Sequence, residues 1–260
     1  KKLKNIFVSS KNQSFSSYGN DFILAKSDKI SSEHDTIIFA NRSMQKVFIP
    51  SFIKRIDSFA FSDCCDLQSI EFAENSHLKS IGEFAFYSAS FPEINVPSSV
   101  EKIENGAFSN CEELKSINFS EDSKLRLIDD GAFSWSSIDK IHFPSKLEDL
   151  GSMWCDSTKN LVNFSISPLN PHFLNYQNEF ILGKSNKKSD KFDVIVFAKR
   201  NIEIPIIPSN IQSIGPCSFH ECGQFHSIQF QSDSKLQKID EKAFLSSSIQ
   251  SITIPSSVRE

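Results

Sequence analysis

The feature that most constrains this chain is a phenylalanine that returns at nearly fixed intervals. Phe61, Phe86, Phe108 and Phe133 each follow an alanine, and the steps between them are 25, 22 and 25 residues. The chain has 25 Phe but only 3 Tyr and 2 Trp in 260 residues, so one buried position keeps requiring a flat apolar ring. A unit that recurs every roughly 20–50 residues is typical of a solenoid, in which each unit packs against its neighbours.

The same frame continues beyond these four residues. Phe219 and Phe244 are again 25 apart, and counting 22 from Phe133 reaches Cys155, which we interpret as a replacement of the Phe. Each unit also contains an apolar-x-apolar triplet, and alternation with period two predicts a short strand with one buried face. The triplets begin at Ile70, Ile94, Ile117, Ile141, Ile228 and Ile252.

A larger repeat encloses the smaller one. Residues 158 positions apart match, as Phe15 matches Phe173 and Pro50 matches Pro208. Each copy contains two strand-like runs joined by a polar connector, which we interpret as a β-hairpin inserted between turns with an exposed tip. The predicted inserted segments are about 9–46 and 167–203, with tips at 27–35 and 185–190.

The run from Val96 to Cys111, VPSSVEKIENGAFSNC, is followed by Leu114 and Ile117 and resembles the BspA-like leucine-rich repeat. The resemblance covers nearly the whole chain. It implies a right-handed leucine-rich-repeat solenoid that is β-dominated, with a parallel strand ladder, short helical turns and the two inserted hairpins. We expect one continuous array over 1–260, and, because Leu3 already lies in mid-turn, a fragment of a longer array.

Of the six cysteines, those at core positions are expected to be free thiols. Cys64, Cys111 and Cys222 share one repeat position, where a small apolar side chain suits the buried turn. Cys64 and Cys111 are two turns apart, which separates their Cα atoms by roughly 10 Å, beyond the reach of a disulfide. Cys65 and Cys217 lie outside that position, so their structural role is less constrained.

Little in the sequence indicates chemistry. His220, Glu221 and Cys222 with His226 look like a metal cluster, but Cys222 is a core position of the repeat, so we expect no metal or cofactor. There is no phosphate-binding glycine loop and no nucleophile motif, and we expect no enzyme activity. An enzymatic or enzyme-regulatory role would require segments outside this sequence.

The residues that alternate with the buried ones on each predicted strand must point outward, and they form a polar, nearly neutral ladder. This ladder is either an ordinary solvated face or a hydrogen-bonding platform for a ligand. It contains no Trp or Tyr, which disfavours sugar stacking and favours a protein as the ligand. The candidate binding residues are Ser69, Glu71, Glu93, Asn95, Ser116, Asn118, Lys140, His142, Asn163, Ser165, Ser227, Gln229, Ser251 and Thr253.

The net charge of -4 and the absence of an apolar run near ~20 residues argue against nucleic-acid binding and against membrane insertion by this segment. BspA-like proteins are mostly microbial surface proteins. The resemblance therefore implies a cell-surface or extracellular adhesion module that binds a host-cell or extracellular-matrix protein. The alternative is a cytoplasmic scaffold for protein–protein interaction, which free cysteines and the lack of a visible signal peptide in residues 1–10 would fit.

Overall fold

The computed structural model describes residues 6–27 and 33–260, and its repeating unit is one turn of a β-solenoid of about nine turns. The phenylalanines that recur in sequence stack in the core. Phe61, Phe86, Phe108 and Phe133 are completely buried, and their successive ring centroids are 4.9, 5.2 and 5.5 Å apart. One turn cannot bury its own apolar side, so the core exists only because neighbouring turns share it.

One side of the solenoid is a ladder of parallel strands, which we call the long ladder. Five of the six predicted apolar-x-apolar triplets lie within its strands, so the predicted strand ladder is confirmed. The sixth is not wholly in a strand, because the last strand ends at Ile252 and Ile254 is 48% exposed. Successive side chains of a β-strand point to opposite faces, so the β-branched and aromatic side chains at every second position enter the core and the alternate ones face outward. The strands of this ladder, which we call the long strands, are β4 Lys46–Ile49, β6 Ser69–Phe72, β8 Glu93–Val96, β10 Ser116–Phe119, β12 Lys140–Phe143, β14 Asn163–Ile166, β18 Ile206–Ile207, β20 Ser227–Phe230 and β22 Ser251–Ile252. Strands β18 and β22 have two residues each and the others have four.

The long ladder is interrupted twice. Strands β4 and β6 pair with each other, and β8, β10, β12 and β14 form a separate sheet. Pro92 lies directly before β8. At the equivalent position of other turns, Gln68 and Lys115 donate a backbone N–H to the preceding turn. Proline has no N–H to donate, so this bond is missing. The second interruption lies between β14 and β18, where the second inserted segment enters.

A second ladder, which we call the short ladder, consists of two-residue strands that the sequence did not predict. A two-residue strand carries too little alternation to stand out, and only the pairing of neighbouring turns makes it visible. One residue of each strand is an Ile or Leu that points into the core. The short strands are β5 Arg55–Ile56, β7 Ser80–Ile81, β9 Lys102–Ile103, β11 Leu127–Ile128, β13 Asp149–Leu150, β19 Ser213–Ile214 and β21 Lys238–Ile239.

The third side carries the stacked phenylalanines, and here the predicted short helical turns are wrong: the part of the chain that the structure describes contains no helix. The N–H of Phe61 donates to Ala85 O of the next turn at 2.7 Å, whereas a helix would direct it to Asp57 O. This hydrogen-bond pattern requires a left-handed backbone conformation at the residues two positions before and two positions after each phenylalanine. For Phe108 these residues are Gly106 (φ 59°) and Asn110 (φ 60°). We call this side the turn ladder.

Each inserted segment contains an antiparallel three-stranded meander. The two predicted runs form hairpins, and a further strand, which the sequence did not predict, pairs on the outside of each. The last strand of each meander continues the short ladder by pairing in parallel with β5 or β19. The strands are β1 Phe15–Tyr18, β2 Phe22–Ala25, β3 Thr36–Ala40, β15 Leu174–Tyr176, β16 Phe180–Gly183 and β17 Val194–Ala198.

The larger repeat is visible strand by strand, because β2 and β16 start 158 residues apart, as do β3 and β17. Both copies also contain a register shift at the same place, after Ile23 and after Ile181. The description of 1–260 as one array with inserts at about 9–46 and 167–203 stays a prediction. Leu3 and residues 28–32 of the first predicted tip lie outside the described residues.

Candidate functional site

The outward side of the long ladder is where the structure places the candidate binding residues. Those from Ser69 to Ser165 lie on five successive long strands, whereas Ser227, Gln229, Ser251 and Thr253 lie beyond the second inserted segment. The structure therefore brings the first ten together on one surface and separates the last four from them. We call the surface formed by the first ten the ladder face.

Ser116 is the exception among the predicted outward residues. It is only 7% exposed, while the other thirteen are partly or fully exposed. Its register partners on the two neighbouring strands are Glu93 and Lys140, whose longer side chains stand on either side of it. Ser116 therefore contributes little accessible surface, although its side chain belongs to the outward set.

Side chains of the ladder face are linked across turns by hydrogen bonds. Asn118 Nδ2 donates to Asn95 Oδ1 at 2.9 Å. His142 Nδ1 lies 2.8 Å from Ser165 Oγ, and His142 Nε2 lies 3.7 Å from Glu121 Oε1. These contacts hold the side chains in defined positions before any ligand arrives, which lowers the entropy cost of binding.

The ladder face contains a shallow depression of about 330 Å³ over its last three strands, β10, β12 and β14. Its rim includes Lys140, His142 and Asn163, and its floor includes Ile141 and Phe164. The floor is apolar and the rim offers a cation, an imidazole and an amide. Because the depression is open to solvent, it suits one or two side chains of a protein ligand better than an enclosed small molecule.

Two apolar side chains on this side of the solenoid were missed from the sequence. Phe48 on β4 is 57% exposed, and Ile206 on β18 is 42% exposed. They lie 158 positions apart, each on the first long strand after an inserted segment. The alternation rule could have found Phe48, because Val47 and Ile49 on either side of it are buried.

The second predicted tip is exposed but is not detached from the array. Asp193 accepts hydrogen bonds from Ser185 N at 2.8 Å and Ser185 Oγ at 2.7 Å, which closes the loop at its base. Lys187 forms an ion pair with Asp149 on the short strand β13. The tip therefore lies against the side of the short ladder and not over the ladder face.

The residues of the apparent metal cluster point to different partners. His220 Nδ1 lies 2.7 Å from Asp156 Oδ1, and His226 Nδ1 lies 3.2 Å from Ser248 O. Cys222 Sγ lies 3.9 Å from Arg200 Nη1. Within residues 6–27 and 33–260, no group of three or more His, Cys, Asp or Glu is arranged to hold a metal ion.

Arg200 gives a physical reason for the cysteine that replaces a phenylalanine at position 155. Its guanidinium is buried, lies 4.4 Å from the ring centroid of Phe197, and approaches Cys155 Sγ at 3.4 Å. A phenylalanine ring at position 155 would compete for this space. The equivalent Arg42 lies over Phe39 in the same way, so this arginine fastens each inserted segment to the turns beside it.

The thiols give a testable consequence of this packing. Burial raises the pKa of Cys111 to about 12 and that of Cys155 to about 11, so neither forms a reactive thiolate near pH 8. Only Cys65 is exposed among the six cysteines. A thiol-reactive dye at pH 8 should therefore label one cysteine quickly in the native protein and all six in denaturant. Rapid labelling of two or more native thiols would contradict the packing.

The described residues include no helix long and apolar enough to cross a membrane.

No curated protein matches the chain in sequence. The fold is similar to the pneumococcal vaccine antigen PcpA, with a TM-score of 0.74 and 21% identity over 98% of this chain and 64% of that one. This chain thus spans less than two thirds of the length of PcpA.

Two further solved structures share the fold. A leucine rich cell surface protein from Faecalibacterium prausnitzii A2-165 gives a TM-score of 0.65 and 16% identity over 96% of this chain and 79% of that one. A leucine-rich repeat protein from Eubacterium ventriosum ATCC 27560 gives 0.53 and 18% over 83% and 49%. The model of the BspA type leucine rich repeat region matches six copies over residues 33–166 and 190–260. Since this match covers more than half of the sequence, the chain belongs to the BspA-type leucine-rich repeat family.

Proposed function

We propose that this chain is a non-catalytic protein-binding module that holds its ligand on the ladder face. The observation that carries the proposal is the depression bordered by Lys140, His142 and Asn163, with an apolar floor and side chains already ordered by cross-turn hydrogen bonds. A solenoid presents such a surface on a rigid scaffold, so polar residues can vary while the buried residues keep the fold.

We further propose display at a microbial cell surface and a host-cell or matrix protein as ligand. The proposal is supported by the family and by a fold shared with one protein described as a cell surface protein and another described as a vaccine antigen. The six cysteines, all within the described residues, form no disulfide, which favours the alternative, a cytoplasmic scaffold, because reducing compartments keep thiols reduced. Both candidates bind protein, and the identity of the ligand distinguishes them.

The test is binding of the chain to immobilised fibronectin, laminin and collagen, compared with the variant Lys140→Ala/His142→Ala/Asn163→Ala. We expect the variant to weaken binding at least about tenfold, because it removes the charged and hydrogen-bonding rim of the depression. Its melting temperature should be unchanged, since all three side chains lie outside the core. The double variant Lys102→Ala/Lys124→Ala, on exposed positions away from the ladder face, is the matched control and should bind normally.

Deletion of residues 185–190 tests whether the ligand binds at the second tip instead of on the ladder face. Loss of binding in the deletion alone would move the site to the tip, and unchanged binding in the triple variant would contradict the site. Failure of the unaltered chain to bind any of the three matrix proteins would contradict a matrix ligand and favour the scaffold.

A further inference from the structure

Aromatic rings are exposed on the turn ladder, on a side of the solenoid distinct from the ladder face. Phe59 is 52% exposed and Tyr87 is 37% exposed. Phe84 lies between them, stacked on Phe59 at 5.4 Å between centroids and edge-on to Tyr87 at 5.9 Å. We call these three residues the aromatic stripe. Two turns further along, Trp135 on the same side is 60% exposed.

The aromatic stripe occupies positions that are unfavourable for large side chains. Phe59 and Phe84 adopt left-handed backbone conformations with φ of 59° and 50°, and the next two turns place Gly106 and Gly131 there. The Phe84 ring covers Gly106 so closely that a Cβ there would lie 2.2 Å from Phe84 Cε1. Bulky residues in this conformation are sterically disfavoured. Phe59 is exposed and Phe84 is only partly buried, so neither fills the core, and neither eases the turn, which points to a role at the surface.

Acidic side chains outnumber basic ones around the aromatic stripe. The guanidinium of Arg42, from the first inserted segment, also approaches it, since its Nη2 donates to Phe59 O at 3.0 Å. The turn-ladder segments 57–66, 82–91, 104–114 and 129–139 contain ten Asp or Glu residues and no Lys, Arg or His. Arg55 from the short ladder binds Glu104 through both guanidinium nitrogens and also contacts Asp57. Exposed carboxylates remain directly beside the rings, because Glu83 precedes Phe84 and Asp63 N donates to Tyr87 O. A chain with a net charge of only -4 thus concentrates negative charge on this side.

We propose that the aromatic stripe is a second interaction surface, and that it takes a lysine- and arginine-rich segment of a partner protein. Cationic side chains are attracted to the faces of exposed rings, and the surrounding carboxylates steer such a segment and pair with it. An apolar segment would leave the carboxylates unpaired, and an acidic segment would be repelled. The surface is independent of the ladder face, so one chain can hold two partners.

The test measures fluorescence anisotropy of a labelled 12-residue peptide of alternating Arg and Gly, with an alternating Glu and Gly peptide as control. The variant Phe59→Gly/Phe84→Gly/Tyr87→Ser replaces each ring with the residue that the array itself uses at that position in Gly106 and Ser109. A second variant, Asp63→Asn/Glu83→Asn, keeps the rings and removes two charges, again with residues that neighbouring turns carry, Asn110 and Asn105. Both variants should keep the melting temperature of the native chain or raise it.

We expect the native chain to bind the Arg peptide and not the Glu peptide, with affinity that falls as salt is raised from about 0.05 to 0.3 M. Each variant should bind the Arg peptide at least about tenfold more weakly. Equal binding by the ring-free variant would show that the rings take no part, and equal binding by the charge variant would exclude a cationic partner. Absence of saturable binding by the native chain would overturn the proposal outright.

Discussion

Replacement of Phe108 by alanine should lower the free energy of unfolding by about 3–5 kcal/mol. Phe108 is completely buried and lies between Phe86 and Phe133, nearly parallel to both, with interplanar angles of 2° and 6°. Its removal opens a cavity that two neighbouring turns share, and stacked rings cannot close it without moving the backbone. Chemical denaturation of the native chain and the variant measures the difference.

The matched control is Phe48→Ala, which removes an equal side chain from the outward side of the long ladder, where it is 57% exposed. We expect this variant to change the free energy of unfolding by less than about 1 kcal/mol. If both variants unfold at the same denaturant concentration, Phe108 is not part of a shared core and the stacking described above is incorrect.

Asn170 should give the second large effect, a loss of about 2–4 kcal/mol when replaced by alanine. It is only 7% exposed and lies where the second inserted segment leaves the array. Its Nδ2 donates to Pro144 O at 2.8 Å and Leu147 O at 3.0 Å, and its Oδ1 accepts from the backbone N–H of His172 and Phe173. Alanine would leave these buried backbone groups without their partner.

The larger repeat supplies the matched control for this prediction, because Asn12 lies 158 positions before Asn170. Asn12 Oδ1 accepts from Ser14 N and Phe15 N in the same way, but the residue is exposed and water can replace it. Asn12→Ala should therefore cost less than about 1 kcal/mol by thermal or chemical denaturation. A cost equal to that of Asn170→Ala would show that burial at the junction does not matter.

The stacked core and the long ladder could be predicted from the sequence because each depends on one residue type at a fixed spacing. The absence of helix on the turn ladder could not be predicted from the sequence. Whether the N–H of Phe61 donates to Asp57 O or to Ala85 O depends on the next turn, and local sequence does not contain that choice. Phe59 and Phe84 gave no signal either, since a phenylalanine in a left-handed conformation is the opposite of what propensity predicts.

The candidate site was predictable in outline and not in detail. Alternation indicates which side chains point outward, so Lys140, His142 and Asn163 could be placed on one face. It does not report what stands beside them, which is why the burial of Ser116 between longer neighbours was missed. Cys155 was recognised as a departure from the repeat, but its reason, the guanidinium of Arg200, comes from a residue 45 positions away.

The most direct test of the central claim asks where a protein ligand touches the solenoid. A photo-crosslinking amino acid is placed at position 118 on the ladder face or at position 102 on the short ladder, both exposed in the structure. Each variant is irradiated with the matrix protein that binds best. A ligand held on the ladder face should give a covalent adduct from position 118 and none from position 102. An adduct from position 102 with none from position 118 would contradict binding at the ladder face.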